Sequence, residues 1–358
     1  MSKRILLAAG GTGGHMFPAQ ALAERLKSQG WEIALMTDVR GLKHAGRIPA
    51  SEKIEVEAAT ISPRHPIKAM SGVLKLTKGV RSAKTFIKKW KPDIVVGFGG
   101  YPAFPALRAA QSLGVPTILH EQNAVLGRVN RVFAKKAHHV VSGFEVLQKL
   151  PEGANWTVIG NPLRADVLAA SARAYKVPRK NINILIVGGS LGARLLSEVM
   201  PQAIALLPQE LRERLNVVQQ TRKESLAFAV KTYADAGVKA ECAPFFDDIE
   251  THLASAHYIV ARAGASSVSE IMVMGLPSLL VPLAIAMDDH QNVNALPLKN
   301  LGAADILPEF EFTSERVKTI LMERLNDSTW LKNASQSAIS AGKPDAARAL
   351  AELVVATV

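Results

Sequence analysis

Two stretches of this chain, LLAAGGTGGH at 6–15 and ILIVGGSLGA at 184–193, share one grammar: a short apolar run, a Gly-Gly pair, a hydroxyl residue, a further glycine and then a helical pattern. An apolar run with no polar face is a strand buried on both sides, and such strands belong to parallel sheets covered by helices. The glycines permit backbone conformations closed to other residues, and the helix that follows aims its first N–H groups at the turn. One such unit in each half predicts two doubly wound domains, each opening with an anion-binding type of loop.

The rest of the chain keeps the rhythm. Strands are expected at 5–9, 33–37, 54–58, 93–98, 117–120 and 139–142, and again at 182–187, 216–220, 239–242, 258–261 and 278–281, with helical segments between them. The class is therefore α/β, two Rossmann-like domains, with ligands bound beyond the carboxyl ends of the strands in a cleft that the two halves face. The first helix is expected to begin at Pro18 and to run through Ala19, Leu22 and Leu26. The Asn-Pro break in VIGNPLRADV at 158–167 and the polar AYKVPRKN at 174–181 place the domain boundary near 160–180.

Composition narrows the function class. At 358 residues with 48% hydrophobic and 21% charged residues, the chain can fill two cores. Cys242 is the single cysteine, so no internal disulfide forms and a reducing compartment is expected. The longest apolar window, LPSLLVPLAIAM at 276–287, is short and broken by Pro277 and Pro282, too little to span a bilayer. A net charge of +12 asks for an acidic partner. With 5% aromatic residues and no nucleic-acid-binding signature, an anionic lipid surface or a phosphorylated substrate fits better than nucleic acid.

Several motifs sit where chemistry is expected. His15 is an ionisable group at the end of a turn made almost wholly of glycine, at a helix start suited to anions. GFGGYPAFP at 97–105 is a third glycine loop between strand and helix. In HEQNAVLGRVNR at 120–131, His120, Glu121, Gln122 and Asn123 follow a buried strand and suit the binding of hydroxyls, with helix capping the plainer role for Asn123. In ARAGASSVSEIMVMGLP at 261–277, Glu270 stands about one turn into a helix, where it either complements the helix dipole or accepts both hydroxyls of a ribose. In AMDDHQNVNALPL at 286–298, Asp288 and Asp289 point different ways and suit helix N-capping better than a metal. No nucleotide motif is complete: position 16, where a dinucleotide fingerprint needs glycine, is Met16, although Asp38 is placed to hold a ribose in a nicotinamide enzyme.

The segment RHPIKAMSGVLKLTKGVRSAKTFIKKWKPD at 64–93 interleaves Val73, Leu74, Leu76, Phe86, Ile87 and Trp90 with Lys68, Lys75, Lys78, Arg81, Lys84, Lys88, Lys89 and Lys91, and has no acidic residue before Asp93. A solvated basic face explains part of this; the unbroken positive sign suits a helix lying on anionic headgroups. A non-catalytic membrane-surface binder would need only this patch.

Taken together, GGTGGHMFPA, GFGGYPA, HEQN, GNPLR, GGSLGA, RAGASSVSE and HQNVNALPL resemble, in order and spacing and over nearly the whole chain, the MurG family of bacterial glycosyltransferases. The resemblance implies the two-domain GT-B fold, with 1–161 and 343–358 forming a domain that faces acceptor and membrane and 162–342 one that binds the UDP-sugar. It implies inverting, metal-independent transfer of N-acetylglucosamine from UDP-N-acetylglucosamine to the 4-hydroxyl of undecaprenyl-pyrophosphoryl-N-acetylmuramoyl-pentapeptide, with no cofactor. Thr12, Gly13 and Gly14 would line the acceptor side, with His15 the base and Glu121 the alternative to it. Asn123 would touch the donor sugar, Arg164 and Ser190 the diphosphate, and Ile249 the uracil. Ala265, Ser266, Ser267, Val268, Ser269 and Glu270 would hold phosphate and ribose, and Gln291 and Asn294 the sugar hydroxyls. Where some relatives carry two glutamines, this chain has His290 then Gln291. The resemblance also implies a peripheral place on the cytoplasmic face of the cell membrane, beside proteins of cell-wall synthesis and division.

Overall fold

The computed structural model describes residues 2–11, 13–43, 45–57, 66–189 and 192–358, with the backbone alone at 66–71. It divides into two compact units, residues 1–164 with 344–358, and residues 165–343.

Among the described residues, the first unit holds strands β1 (Arg4–Ala8), β2 (Glu32–Thr37), β3 (Glu52–Glu55), β4 (Ile94–Gly97), β5 (Thr117–Glu121), β6 (His139–Ser142) and β7 (Trp156–Val158). They pair in the order β3-β2-β1-β4-β5-β6-β7, all parallel. The second unit holds β8 (Ile182–Val187), β9 (Leu215–Gln220), β10 (Lys239–Ala243), β11 (Tyr258–Ala261), β12 (Ser278–Leu280) and β13 (Ala304–Ile306). Their order is β10-β9-β8-β11-β12-β13, again parallel. The middle strands, ILL in β1, IVV in β4 and YIV in β11, are buried on both faces, whereas the edge strands β3, β7 and β10 are largely exposed. Strand order reverses between β1 and β4 and between β8 and β11. At such a reversal the turns leaving two neighbouring strands diverge and open a crevice at the carboxyl end of the sheet. The glycine loops after β1, β4, β8 and β11 all lie at these two places.

Three sequence expectations change. The first helix spans Gly13–Lys27, so it starts five residues ahead of Pro18 and contains it. Proline has no N–H to give, which takes the Gly14 carbonyl out of the helical ladder, a loss tolerated near a helix start. Strands β7 and β13 are three residues each, too short for a period to be read. The third strand ends at Glu55; Ala58 lies outside the described residues, as do Arg64 and the side chain of Lys68.

The basic segment forms the helix Pro66–Trp90. Leu76, Ala83 and Ile87 are buried at helical spacing, and Phe86 and Trp90 stack with ring centroids 5.6 Å apart and pack against the core of the first unit. Arg4 lies over the Trp90 ring, and its Nη1 donates to the Trp90 carbonyl. These aromatic rings and inward aliphatics are therefore structural. Among the described side chains of the helix, Val73 and Leu74 are apolar and 49% and 62% exposed, and Lys75, Lys78, Lys88 and Lys89 are exposed as well. Charge follows the division of the chain: the first unit carries 25 Lys and Arg against 12 Asp and Glu, the second 18 against 19.

The last helix, Ala346–Thr357, belongs to the first unit, where Leu350, Ala351 and Val354 join the buried cluster of Met16, Leu22, Ala23 and Leu26. Lys3 Nζ donates to the carbonyl of Val358.

Gly79 fixes the seat of the basic helix. Glycine inside a helix ordinarily costs about 0.5–1 kcal/mol relative to alanine. Here a Cβ would stand 2.5 Å from the Glu57 carbonyl oxygen and 3.1 Å from Pro105 Cγ. A backbone oxygen cannot rotate aside, so overlap outweighs propensity. Gly79→Ala is expected to lower the unfolding free energy by about 1–3 kcal/mol in urea titration; an increase would show that the helix slides freely on its neighbours.

Candidate active site

The turn after β1 and the turn after β4 meet at His15. Gly99 and Gly100 adopt φ +81° and +74°. A Cβ on Gly99 would lie 3.4 Å from His15 Cδ2 and 3.5 Å from Nε2, and one on Gly100 would lie 3.6 Å from Cε1. Both glycines are required by the left-handed backbone, and the imidazole lies in ordinary van der Waals reach of them. Gly10 is packed on Pro102, where a Cβ would stand 2.6 Å from two ring carbons. Gly13 and Gly14 form the first turn of the helix that carries His15 as its third residue, and the His15 side chain is half-buried. Thr12 lies outside the described residues.

Asp38 is committed to this loop. Its carboxylate accepts from the amides of Gly11 and Gly41 at 3.1 and 2.9 Å and from Arg40 Nε at 3.1 Å. Burial opposes its charge, but the two amides and Arg40 outweigh burial and hold its carboxyl below the ordinary value. A carboxylate with these donors is a loop anchor and helix cap, which removes the residue a nicotinamide enzyme would use for ribose.

The HEQN segment also turns inward. His120, Glu121 and Gln122 are all buried. His120 Nε2 lies 3.2 Å from the Gly160 carbonyl, an acceptor, so Nε2 carries the proton and Nδ1 accepts from Gln122 Nε2 at 2.9 Å. Burial, reinforced by the charge of nearby His15, lowers its pKa to about 4, so His120 is neutral at physiological pH. Glu121 Oε1 accepts from the Asn123 amide and Asn123 Nδ2 at 3.1 and 3.2 Å; Oε2 accepts from the Gly127 amide and Asn130 Nδ2 at 2.8 and 2.9 Å. Burial raises its pKa against the pull of these four donors. Asn161 Nδ2 donates to the Gln122 carbonyl at 3.0 Å. The expectation of four side chains presented to hydroxyls is corrected: three build the loop, and Asn123 alone is half-buried, its amide oriented by Glu121.

In the second unit, Gly188 fits against Ala193, whose amide nitrogen would lie 2.2 Å from a Cβ at Gly188, and its own N–H donates to Gln220 Oε1 at 3.0 Å. Ser190 lies outside the described residues. Ile249 opens the helix Ile249–Ser255 and is half-buried. The helix Ala265–Met274 begins at Gly264, which has no side chain to engage its first amides. Ala265, Val268 and Ser269 are buried, so Ala265 and Val268 have main chain rather than side-chain groups to offer. Ser266, Ser267 and Glu270 are half-buried and share one face, three to four residues apart.

The segment before the helix His290–Asn300 is tied down by groups the sequence reading missed. Buried Arg262 pairs with Glu309 and donates to the Val281 carbonyl at 3.1 Å, while Glu309 Oε2 accepts from the Ala284 amide at 2.9 Å. An arginine directly after a fully apolar strand was the available signal. Gln291 Oε1 accepts from the Leu283 amide at 3.0 Å, and His290 Nδ1 donates to the Met287 carbonyl at 2.7 Å. Asn294 is wholly buried and donates to the Ala263 carbonyl at 3.1 Å, tying the helix to the end of β11 rather than facing solvent. The expected capping by Asp289 does not occur: it is left-handed, as is Asp288, and at the cap position it accepts from Asn292 Nδ2 at 2.7 Å instead. Among the described residues no group of three or more His, Cys, Asp and Glu could hold a metal ion.

Arg164, the last residue before the second unit, lies over the ring of Phe17 with 5.3 Å from Cζ to the centroid. Phe17 is another residue the sequence reading did not single out.

Comparison with known proteins agrees with this layout. Residues 5–142 match the glycosyltransferase family 28 N-terminal domain and residues 183–350 its C-terminal domain. The chain is 51% identical over 98% of its length, and 97% of the relative's, to the UDP-N-acetylglucosamine–N-acetylmuramyl-(pentapeptide) pyrophosphoryl-undecaprenol N-acetylglucosamine transferase of Maricaulis maris. It is 46% identical to the transferase of the same name from Caulobacter vibrioides, over 100% of this chain and 99% of that one. Among solved structures, Acinetobacter baumannii MurG superposes with a TM-score of 0.81 at 30% identity, covering 99% of each chain. A kitacinnamycin glycotransferase at 18% identity and a TM-score of 0.69 shares the fold. With relatives of this likeness from end to end and both domain models matched in order, the chain belongs to the MurG family within glycosyltransferase family 28.

Proposed function

We propose that the protein transfers N-acetylglucosamine from UDP-N-acetylglucosamine to the 4-hydroxyl of undecaprenyl-pyrophosphoryl-N-acetylmuramoyl-pentapeptide, with inversion at the anomeric carbon. The observation that carries this reading is the pairing of full-length likeness to transferases of that name with a half-buried histidine lying against two consecutive left-handed glycines at the strand-order reversal.

The chemistry is a single displacement. The acceptor hydroxyl attacks C1 while UDP leaves, so a base must take the hydroxyl proton and positive potential must meet the growing charge on the diphosphate. His15 is the base: Glu121 is buried with both oxygens engaged in its own loop, whereas the His15 ring is only half-buried. Gly13 and Gly14 let the acceptor pyrophosphate approach the helix start, together with Thr12. In the second unit, the main chain at the start of helix Ala265–Met274 and the hydroxyls of Ser266 and Ser267 receive phosphate, Glu270 accepts the ribose hydroxyls, and Ile249 lies against the uracil. Ser190 and Arg164 meet the diphosphate, and Asn123 and Gln291 the sugar. Asn294 acts by holding the helix that presents Gln291. Helix N-termini and Arg164 supply the positive potential, so the reaction proceeds without a resident metal.

A polyprenyl-linked acceptor stays in the bilayer, so the enzyme goes to it. No helix among the described residues is long and apolar enough to cross a membrane. The excess positive charge is confined to the first unit, and within it Val73 and Leu74 are exposed on a helix rich in lysine. This unit rests on anionic lipid at the cytoplasmic face of the membrane, where proteins of cell-wall synthesis and division are its neighbours.

Purified protein is expected to release UDP from UDP-N-acetylglucosamine when given a prenyl-pyrophosphoryl-N-acetylmuramoyl-pentapeptide, and His15→Ala to lower turnover about 100-fold or more while donor affinity stays near that of the wild type. Near-normal kcat in the variant would refute the base; a loss confined to donor affinity would move His15 to the donor side. Glu270→Ala is expected to weaken the ribonucleotide donor and to erase the preference over its 2′-deoxy analogue, because only the natural sugar pairs with the carboxylate. If the two donors still differ as in the wild type, Glu270 serves the helix dipole alone. The protein is expected to sediment with phosphatidylglycerol vesicles and less so as salt rises, each lysine near the surface contributing about 1 kcal/mol. Charge reversal at Lys75, Lys78, Lys88 and Lys89 should abolish sedimentation and spare transfer to a soluble short-chain acceptor; equal sedimentation of the two proteins would return the helix to an ordinary solvated face.

A further inference from the structure

The turn after β2 brings an arginine to the first glycine loop. Because β2 pairs with β1 in parallel, the turns leaving the two strands emerge side by side at the carboxyl end of the sheet. Asp38 caps the short helix Val39–Leu42 on the second of these turns, and Arg40 lies within that helix. Arg40 reaches the first turn: a Cβ on Gly11 would lie 3.6 Å from Arg40 Nη2. Gly11 is left-handed at φ +87°, a conformation that favours glycine, so no side chain separates its main chain from the guanidinium.

The two partners are engaged unequally. Asp38 uses its oxygens inside the protein, on the amides of Gly11 and Gly41 and on Arg40 Nε. Arg40 commits only Nε, at 3.1 Å from Asp38 Oδ2, and among the described residues neither Nη has an acceptor. The Nε bond orients the guanidinium, while the Nη edge, whose shape matches two oxygens of one phosphate, stays open.

Stability does not account for this arginine. Its side chain is 70% exposed, and an ion pair so open to water adds little to folding, while Asp38 keeps both amides without it. Binding does supply a reason. Asp38 is held in its charged form and takes the Gly11 N–H, so a loop suited to anions carries a negative charge of its own and has one donor fewer. An anion approaching that loop is opposed unless a cation stands beside the carboxylate. Arg40 is such a cation, and its Nη groups replace the amide that Asp38 occupies.

We propose that Arg40 binds the diphosphate of the acceptor at the first glycine loop, with Nε on Asp38 and the Nη edge on the phosphate oxygens. This deepens, and rests on, the reading that the loop receives the acceptor pyrophosphate, and it involves residues of the first unit alone.

The test is steady-state transfer to a soluble short-chain prenyl-pyrophosphoryl-N-acetylmuramoyl-pentapeptide, with inhibition by the same molecule carrying an uncharged linker in place of the diphosphate. Arg40→Met keeps an extended side chain and removes the charge and the donors; Arg40→Gln takes its place if that protein does not fold. The variant is expected to raise KM for the acceptor about tenfold, as for loss of a hydrogen bond to a charged group, and to leave kcat and KM for UDP-N-acetylglucosamine within about twofold. The uncharged analogue is expected to inhibit both proteins alike, and far more weakly than the acceptor binds the wild type. Arg40→Lys, which keeps the charge but not the fork, should fall between. If the uncharged analogue binds the wild type as tightly as the acceptor does, the reading that the loop receives the diphosphate falls, and the role of Arg40 with it. If the wild type favours the diphosphate and Arg40→Met keeps that preference in full, the reading stands and the role of Arg40 is overturned. Loss of the analogue in the same proportion as the acceptor, or a rise confined to KM for the donor, would overturn it as well, since either marks a disturbed loop rather than a lost phosphate contact.

Discussion

Parallel pairing of β1 with strands on both its sides is the constraint from which the first unit follows. The chain leaves β1 toward β2 and β3 on one side and must return on the other side at β4. The turns leaving β1 and β4 then diverge, and what fills the space between them is decided by which residues those turns can tolerate. Here they include Gly99 and Gly100, whose left-handed backbone brings the turn after β4 against the ring of His15. The second unit repeats the reversal at β8 and β11 but fills it with Gly188 and a glycine-capped helix start instead of an imidazole. One topology thus yields two surfaces, one with an ionisable side chain and one dominated by main-chain N–H groups.

Around the first of these, a buried carboxylate does the organising. An isolated charge in the interior is expensive, and Glu121 is tolerated because four N–H donors surround it. The same donors fix Asn123 and bring Asn130 to lie beside Gly99, whose Cβ would stand 3.5 Å from Asn130 Nδ2. His120 and Gln122 extend the network to Gly160 and to Asn161, just ahead of the point where the first unit ends. The polar cluster therefore sets both the loop beside the site and the path of the chain out of the unit.

How much of this was legible in the sequence depended on where each residue's partners lie. The central strands could be read because a run such as ILIV, apolar on both faces, has few alternatives; WTV and ADI at the sheet edges carry no period. The helix start at Gly13 was hidden because glycine is a poor helix former and Pro18 resembles a first-turn residue, whereas the ring that needs Gly13 to be small is visible only in three dimensions. On the basic helix, Leu76, Ala83 and Ile87 are separated by seven and four residues and face inward as that spacing implies, yet nothing local showed that Trp90 stacks on Phe86. His120, Glu121 and Gln122 looked like ligand groups because polar side chains after a buried strand are either that or internal fastenings. The partners that decide the matter stand as far off as Gly160 and Asn161. Asn294 likewise has a partner far off in the chain, since it donates to the carbonyl of Ala263.

The return of the final helix to the first unit has a consequence for how the protein comes into being. Leu350, Ala351 and Val354 close the same apolar cluster as β1 and the His15 helix, but a ribosome makes them only after residues 165–343. The early-made unit must wait with that face uncovered while all of residues 165–343 emerge and can fold as a body of their own. In order of synthesis the His15 helix precedes the second unit; in order of completion its support follows it.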